Sequence, residues 1–178
     1  MQLAGADFLR RRGDDRVGLI VFGSKAYYAS PLSFDVEAVA GAVETAVIGI
    51  SGRATNISGA LGLALKRLSR SPADSRVVIL LSDGANNAGA ATPRDVARLA
   101  ADMSIRVHTI AMRPKNLNSA PDTHGVIDAT TLNTITNLNK KTIFHIQNTD
   151  NLLNIITTIN TLKPTQHTKL TTKTYHKF

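Results

Sequence analysis

Short apolar runs rich in β-branched residues alternate along the chain with segments in which apolar residues recur every three or four positions. Such runs favour strands, and the recurring positions favour amphipathic helices. Nearly continuous apolarity over five or six residues further indicates strands covered on both faces, as in a parallel sheet. The predicted strands span residues 17–22, 77–81, 107–111 and 142–146.

The helical patterns lie between and after these strands, which predicts an α/β domain with a mainly parallel sheet. Two apolar stripes cover residues 36–47 and 57–68. Thr92 and Pro93 form an N-cap followed by proline at the first helical position. Asp128 and Asp150 are predicted to open two further helices. Residues 26–30 are predicted to form an edge strand, joined to the first strand by the tight turn 23–25.

The length of 178 residues suits one domain with a single core. We predict a domain over residues 1–162 and a polar, basic tail over residues 163–178, where no periodicity is visible. The net charge is +8, and residues 113–178 contribute most of it with 8 basic and 3 acidic side chains. A solvated surface is enough to explain this excess of basic side chains. The sequence has no basic clusters interleaved with aromatic residues, so it gives little support to nucleic-acid binding.

Several classes of function are excluded by what the sequence lacks. It has no cysteine, which removes thiolate metal sites and cysteine nucleophiles. It has neither a phosphate-binding loop nor a nucleophile elbow, and no acid, base and nucleophile assemble, so we predict that the protein is not an enzyme. No apolar stretch approaches the length of a membrane span, and no signal is visible, so the chain as written would be cytoplasmic.

The candidate ligand-binding residues come directly after predicted strands or before predicted helices, because ligands of parallel α/β sheets bind at the carboxyl ends of the strands. Asp83 comes directly after the strand 77–81 and precedes a glycine. Its carboxylate is placed to hold a hard cation, although a simple Asp-Gly turn explains the same residues equally well. Thr55 precedes the stripe 57–68, where its hydroxyl could be a cation ligand or an ordinary helix N-cap.

Four segments together resemble the von Willebrand factor A domain, and in particular the bacterial branch of aerotolerance-operon proteins of the BatA type. They are FLRRRGDDRVGLIVFG at 8–23, ATNISGAL at 54–61, VVILLSDGANNAG at 77–89 and VHTIA at 107–111. Residues 113–162 follow the same branch more loosely. The resemblance implies a Rossmann-like, doubly wound α/β fold, with a mainly parallel sheet and helices on both faces.

The resemblance also implies a metal-ion-dependent adhesion site at the upper edge of the sheet. In that family one divalent cation, usually Mg²⁺, leaves a coordination position for an acidic side chain of a protein partner. By the resemblance, Thr55 matches the second loop of the site as a direct ligand, and Asp83 matches the third as a ligand that usually acts through water. Asn86 and Asn87 would lie nearby on the rim that the partner contacts.

One part of the family pattern is missing from this sequence. The family's first loop carries Asp-x-Ser-x-Ser, which occurs nowhere in residues 1–178. Residues 1–12 resemble the end of the family's first helix, so the strand before it is also missing and the fold is expected to be N-terminally truncated. That strand lies between those matching 17–22 and 77–81, which must either close up or leave an open seam. With Thr55 and Asp83 alone, we expect no useful Mg²⁺ affinity.

The hypothesis is therefore a protein-interaction module with an incomplete metal site. The Bat branch implies a periplasm-facing domain anchored in the bacterial inner membrane, in a system that includes a MoxR-type AAA+ ATPase. One alternative is a truncated structural fragment that binds no metal. A weaker alternative is a nucleic-acid contact through the basic second half.

Overall fold

The computed structural model describes residues 2–46, 54–73, 75–82, 86–112, 135 and 143–146. Within them, helices and strands follow the order predicted from the apolar pattern. The helices are α1 (Gln2–Arg10), α2 (Val36–Glu44), α3 (Ile57–Leu68) and α4 (Pro93–Asp102). The strands are β1 (Val17–Phe22), β2 (Ala26–Ser33), β3 (Val77–Ser82), β4 (Arg106–Met112) and β5 (Ile143–Ile146).

The strands confirm the α/β prediction, and they form two separate sheets in the described part of the chain. β3, β4 and β5 are parallel neighbours in that order. β1 and β2 form the predicted antiparallel hairpin. β1 and β3 are not paired with each other, so among the described strands each has a free edge. We expected these two strands either to pair with each other or to leave an open seam, and the described strands show the open seam.

The open seam explains one wrong expectation about burial. The apolar runs predict strands covered on both faces, yet no residue of β1 is fully buried. In β3 only Leu80 and Ser82 are buried. A strand with no neighbour on one side exposes part of its side chains laterally even when helices pack on it, so apolar composition alone overestimated the burial.

Two apolar clusters lie on opposite faces of β1. Val17 and Leu19 pack against α1 and α2, whereas Phe22 packs with α3, α4, β3 and β4. Successive side chains of a strand point to opposite faces, so helices cover both sides, as a doubly wound fold requires. The larger cluster contains the fully buried side chains Ile57, Leu61, Leu65, Ile105, Val107 and Ile135.

Ion pairs on the surface hold α1 against α2. Arg10 donates to Glu37 at 3.0 Å and to Glu44 at 2.9 Å. These two carboxylates, Glu44 first, raise the pKa of the Arg10 guanidinium above its ordinary value. Arg11 and Arg12 form ion pairs with Asp7 and Asp15, three or four residues away in sequence. The basic run at residues 10–12 is therefore neutralised within the domain.

Local signals placed the start of α4 correctly, whereas α2 ends at Glu44, before the end of the apolar stripe 36–47. Thr92 accepts from the Asp95 amide and Pro93 occupies the first turn of α4, as predicted. Of the helix predicted after Asp128, only Ile135 lies among the described residues, where it is helical and fully buried. The helix predicted after Asp150 and the tail at 163–178 lie outside the described residues. No helix in the described part is long and apolar enough to cross a membrane.

Candidate functional site

Residues 54–58, which lead into α3, lie where the ends of β1 and β3 come together. The Asn56 amide donates to the Gly23 carbonyl oxygen at 2.8 Å, directly after β1. The Ala54 amide donates to the Ser24 hydroxyl oxygen at 3.2 Å. The same segment contacts residues 86–89, shortly after β3. The segments that follow β1 and β3 are therefore joined at one edge of the molecule through residues 54–58.

Thr55 and Asn87 form a reciprocal pair between two of these loops. The Thr55 amide donates to Asn87 Oδ1 at 2.7 Å, and the Asn87 amide donates to the Thr55 carbonyl oxygen at 3.0 Å. Each backbone group of Thr55 thus has a partner in the other loop. The pair fixes the two loops against each other without using the Thr55 hydroxyl.

Two asparagines satisfy the first amides of α3. Asn56 is the N-cap, and its Oδ1 accepts from the Gly59 amide at 2.7 Å. Asn86 Oδ1 accepts from the Ile57 amide at 2.8 Å and from the Ser58 amide at 3.3 Å. Helix N-terminal amides otherwise have no partner within the helix. The alternative in which Thr55 is the N-cap is therefore wrong, because the cap lies one residue later.

Gly89 also belongs to this edge, because its backbone lies directly against the Asn56 side chain that caps α3. It has a φ of +102°, which side-chain-bearing residues rarely adopt. A Cβ at this position would lie 2.4 Å from Asn56 Oδ1 and 2.6 Å from Ser58 Oγ. Glycine is therefore required here both for its backbone angle and for lack of space.

The structure brings together three of the four residues predicted from the sequence. Thr55, Asn86 and Asn87 meet at one edge, whereas Asp83 lies outside the described residues. The Oδ1 atoms of Asn86 and Asn87 accept backbone amides, and the place of the two residues on a partner-facing rim stays a prediction. Among the described residues, the Thr55 hydroxyl and Asn87 Nδ2 have no hydrogen-bond partner, and Asn87 is exposed.

The described residues alone do not assemble a magnesium cradle, and Asp83, the predicted carboxylate ligand, lies outside them. Mg²⁺ prefers carboxylate, hydroxyl and water oxygens in near-octahedral geometry. Here the three asparagine Oδ1 atoms all accept hydrogen bonds from the protein. The Thr55 hydroxyl is left as an uncommitted oxygen. Nowhere in the described ranges do three His, Cys, Asp or Glu side chains gather to hold a metal ion.

Three residues of this edge, Ser24, Asn56 and Gly89, are not among those predicted from the sequence. Asn56 carried a usable signal, because asparagine directly before an apolar helical stripe is a preferred N-cap. Ser24 lay in a segment interpreted only as a hairpin turn. Gly89 had no local signal, since the close approach that requires it depends on Asn56 and Ser58, some thirty positions earlier in the chain.

Several solved structures have a fold similar to that of this chain. BatB from Bacteroides thetaiotaomicron superposes with a TM-score of 0.74 at 19% identity, covering 90% of this chain and 85% of that one. Proximal thread matrix protein 1 from the mussel byssus, with a zinc-occupied MIDAS motif, gives 0.65 at 21% identity, covering 91% and 39%. At these identities the likeness shows the fold alone.

Sequence comparison covers most of the chain as well. A curated but uncharacterised protein of Borreliella burgdorferi is 25% identical over 105 residues, which is 59% of this chain. The chain covers only 31% of that relative's length. Residues 5–158 match the sequence profile of the von Willebrand factor type A domain. The family expectation is thereby confirmed: this chain belongs to the von Willebrand factor type A domain family.

Proposed function

We propose that this domain binds a protein partner at the edge where the loops after β1 and β3 meet the start of α3. The observation that carries the proposal is the reciprocal Thr55–Asn87 pair, together with the Asn56 and Asn86 caps. These bonds order the edge before a partner arrives. A preorganised surface loses less conformational entropy on binding, which favours recognition.

The chemistry of this edge suits a partner group that accepts hydrogen bonds. The Thr55 hydroxyl and Asn87 Nδ2 are donors with no partner among the described residues, and they belong to two loops that are bonded together. A carboxylate of the partner can accept from both donors. In this proposal the contact is direct and does not need a Mg²⁺ ion, which is supported by the three asparagine Oδ1 atoms that already accept backbone amides.

The wider setting rests on the Bat resemblance. The similarity of fold to BatB supports a place in a Bat-type system. Such a system would include a MoxR-type AAA+ ATPase and would hold the domain at the bacterial inner membrane, facing the periplasm. In this setting the domain recruits another protein and has no catalytic role.

Site-specific photo-crosslinking in cells that encode the protein tests this function. A photoreactive residue at Ala90, which is exposed beside the edge, should give one discrete adduct. The same residue at Leu99, exposed on α4, is the control position and should not give that adduct. Mass spectrometry then identifies the partner, and a protein encoded beside a MoxR-type ATPase would support the Bat assignment.

Two further arms test the chemistry of the contact. Thr55→Val removes the hydroxyl and keeps the backbone pair with Asn87, so the adduct should decrease. Thr45→Val, at the exposed end of α2, is the matched control and should leave it unchanged. EDTA should have no effect. Equal adducts from both positions would contradict the proposed edge, and loss of the adduct in EDTA would contradict a contact without metal.

A further inference from the structure

A groove of about 320 Å³ lies on the other half of α3, between this helix and β2. The 12 residues of α3 span about 18 Å, so this groove is separated from the edge at Thr55 by most of the helix length. It is lined by Tyr28, Pro31, Leu63, Lys66, Arg67 and Arg70.

One wall of the groove is apolar and is held in place. The Tyr28 hydroxyl donates to the Leu63 carbonyl oxygen at 3.0 Å, which fixes the aromatic ring between β2 and α3. Tyr28 is nevertheless 43% exposed. Pro31 is exposed on the same strand and cannot donate a backbone hydrogen bond. The wall therefore offers a rigid apolar surface to a side chain from outside.

The groove is also lined by three cations that no carboxylate neutralises within the described residues. Lys66, Arg67 and Arg70 are all exposed, and their side chains form none of the ion pairs found there. The basic run at 10–12 is paired by contrast. The negative end of the helix dipole favours cations in the last turn of α3, but it does not account for the apolar wall beside them.

We infer that this groove binds an acidic segment of a partner protein, in which an apolar side chain is flanked by aspartates or glutamates. The apolar side chain contacts Tyr28, Pro31 and Leu63, and the carboxylates contact Lys66, Arg67 and Arg70. The positive charge of these three side chains favours an acidic partner. The groove volume of about 320 Å³ accommodates one or two side chains. A nucleic acid would instead need a longer track of cations along its backbone. The inference does not depend on the function proposed for the edge at Thr55.

Fluorescence anisotropy with a labelled peptide tests this inference. The probe has three aspartates on each side of a central Phe-Leu pair, and its reference replaces every aspartate with asparagine. The aspartate peptide should bind and the asparagine peptide should not. Added salt should weaken the binding, because exposed charges are screened.

Matched charge reversals locate the contact. Arg67→Glu with Arg70→Glu should weaken binding about tenfold, because two attractive contacts become repulsive. Arg94→Glu with Arg98→Glu makes the same change of net charge on the exposed side of α4 and should have little effect. Circular dichroism of both variants verifies that each is folded.

Three results would overturn the inference. Equal weakening by both double variants would show a response to net charge alone. Equal binding of the aspartate and asparagine peptides would remove the carboxylate contact. A single-stranded oligonucleotide or anionic vesicles that bind more tightly than the peptide, and lose binding only in the Arg67 and Arg70 variant, would assign the groove to a different ligand.

Discussion

Thr55 and Asn87 bind each other through two hydrogen bonds, in which each residue's amide donates to an oxygen of the other. The two residues are 32 positions apart, in loops that precede α3 and follow β3. The pair bridges the part of the molecule where β1 and β3 do not touch as strands. Side chains at the rim thus replace part of the connection that a continuous sheet would provide.

Removing the Asn87 side chain should destabilise the domain. Asn87→Ala leaves the Thr55 amide without its protein acceptor, and we expect a loss of about 1 kcal/mol in the free energy of unfolding. Urea titration followed by circular dichroism measures it. Asn87→Asp keeps an acceptor oxygen at this position and should retain most of the stability. Equal losses in both variants would show that the acceptor is not what stabilises the loop.

Gly89→Ala should be more damaging than its size suggests. The φ of +102° disfavours any Cβ, and the new methyl group would collide with the Asn56 cap and Ser58. We expect a cost of about 1–3 kcal/mol, measured by the same urea titration. The control is Gly62→Ala in α3, where a Cβ meets nothing within 4 Å.

Gly62→Ala should stabilise the protein. Alanine in a helix interior is favoured over glycine by about 0.5–1 kcal/mol, and the open space around Gly62 means that no clash offsets the gain. Thermal unfolding should show a higher midpoint. A lower midpoint would mean that this face of α3 is covered by another part of the chain.

Local patterns predicted most of the elements. The apolar stripe at 57–68 gave α3 its bounds, and Thr92 with Pro93 gave the start of α4, because helix caps depend on neighbouring residues only. Sequence resemblance predicted that Thr55 and the residues after β3 would meet. These are properties of short segments, or of a family pattern, that a single sequence displays directly.

Long-range side-chain contacts were harder to predict. No sequence signal indicated that Asn86 Oδ1 caps α3 from 29 residues away in sequence, and its place on a partner-facing rim stays a prediction. The sequence around a loop asparagine gives the same signal whether its side chain faces solvent or caps a distant helix. The half-exposure of β1 was also missed, since the burial of a strand depends on which neighbours pair with it.

Hydrogen exchange should distinguish the strands by their pairing. β4 has neighbours on both sides, so nearly all its amides should be protected. Among the described strands, β1 and β3 each have one neighbour, so about every second amide of these two strands should exchange quickly. Exchange measured by NMR at individual amides tests this. Full protection along both β1 and β3 would show that a further strand covers their free edges.

Magnesium should leave the stability of the domain unchanged. A ligand that binds only the folded state raises the unfolding midpoint with its concentration, and the three asparagine Oδ1 atoms at the edge are committed to backbone amides. Thermal unfolding with millimolar MgCl₂ and with EDTA should therefore give the same midpoint. Asp83→Ala and Thr55→Val should not alter this result. A midpoint that rises with Mg²⁺ in the native protein and not in Asp83→Ala would show instead that Asp83 completes a working cation site with the Thr55 hydroxyl.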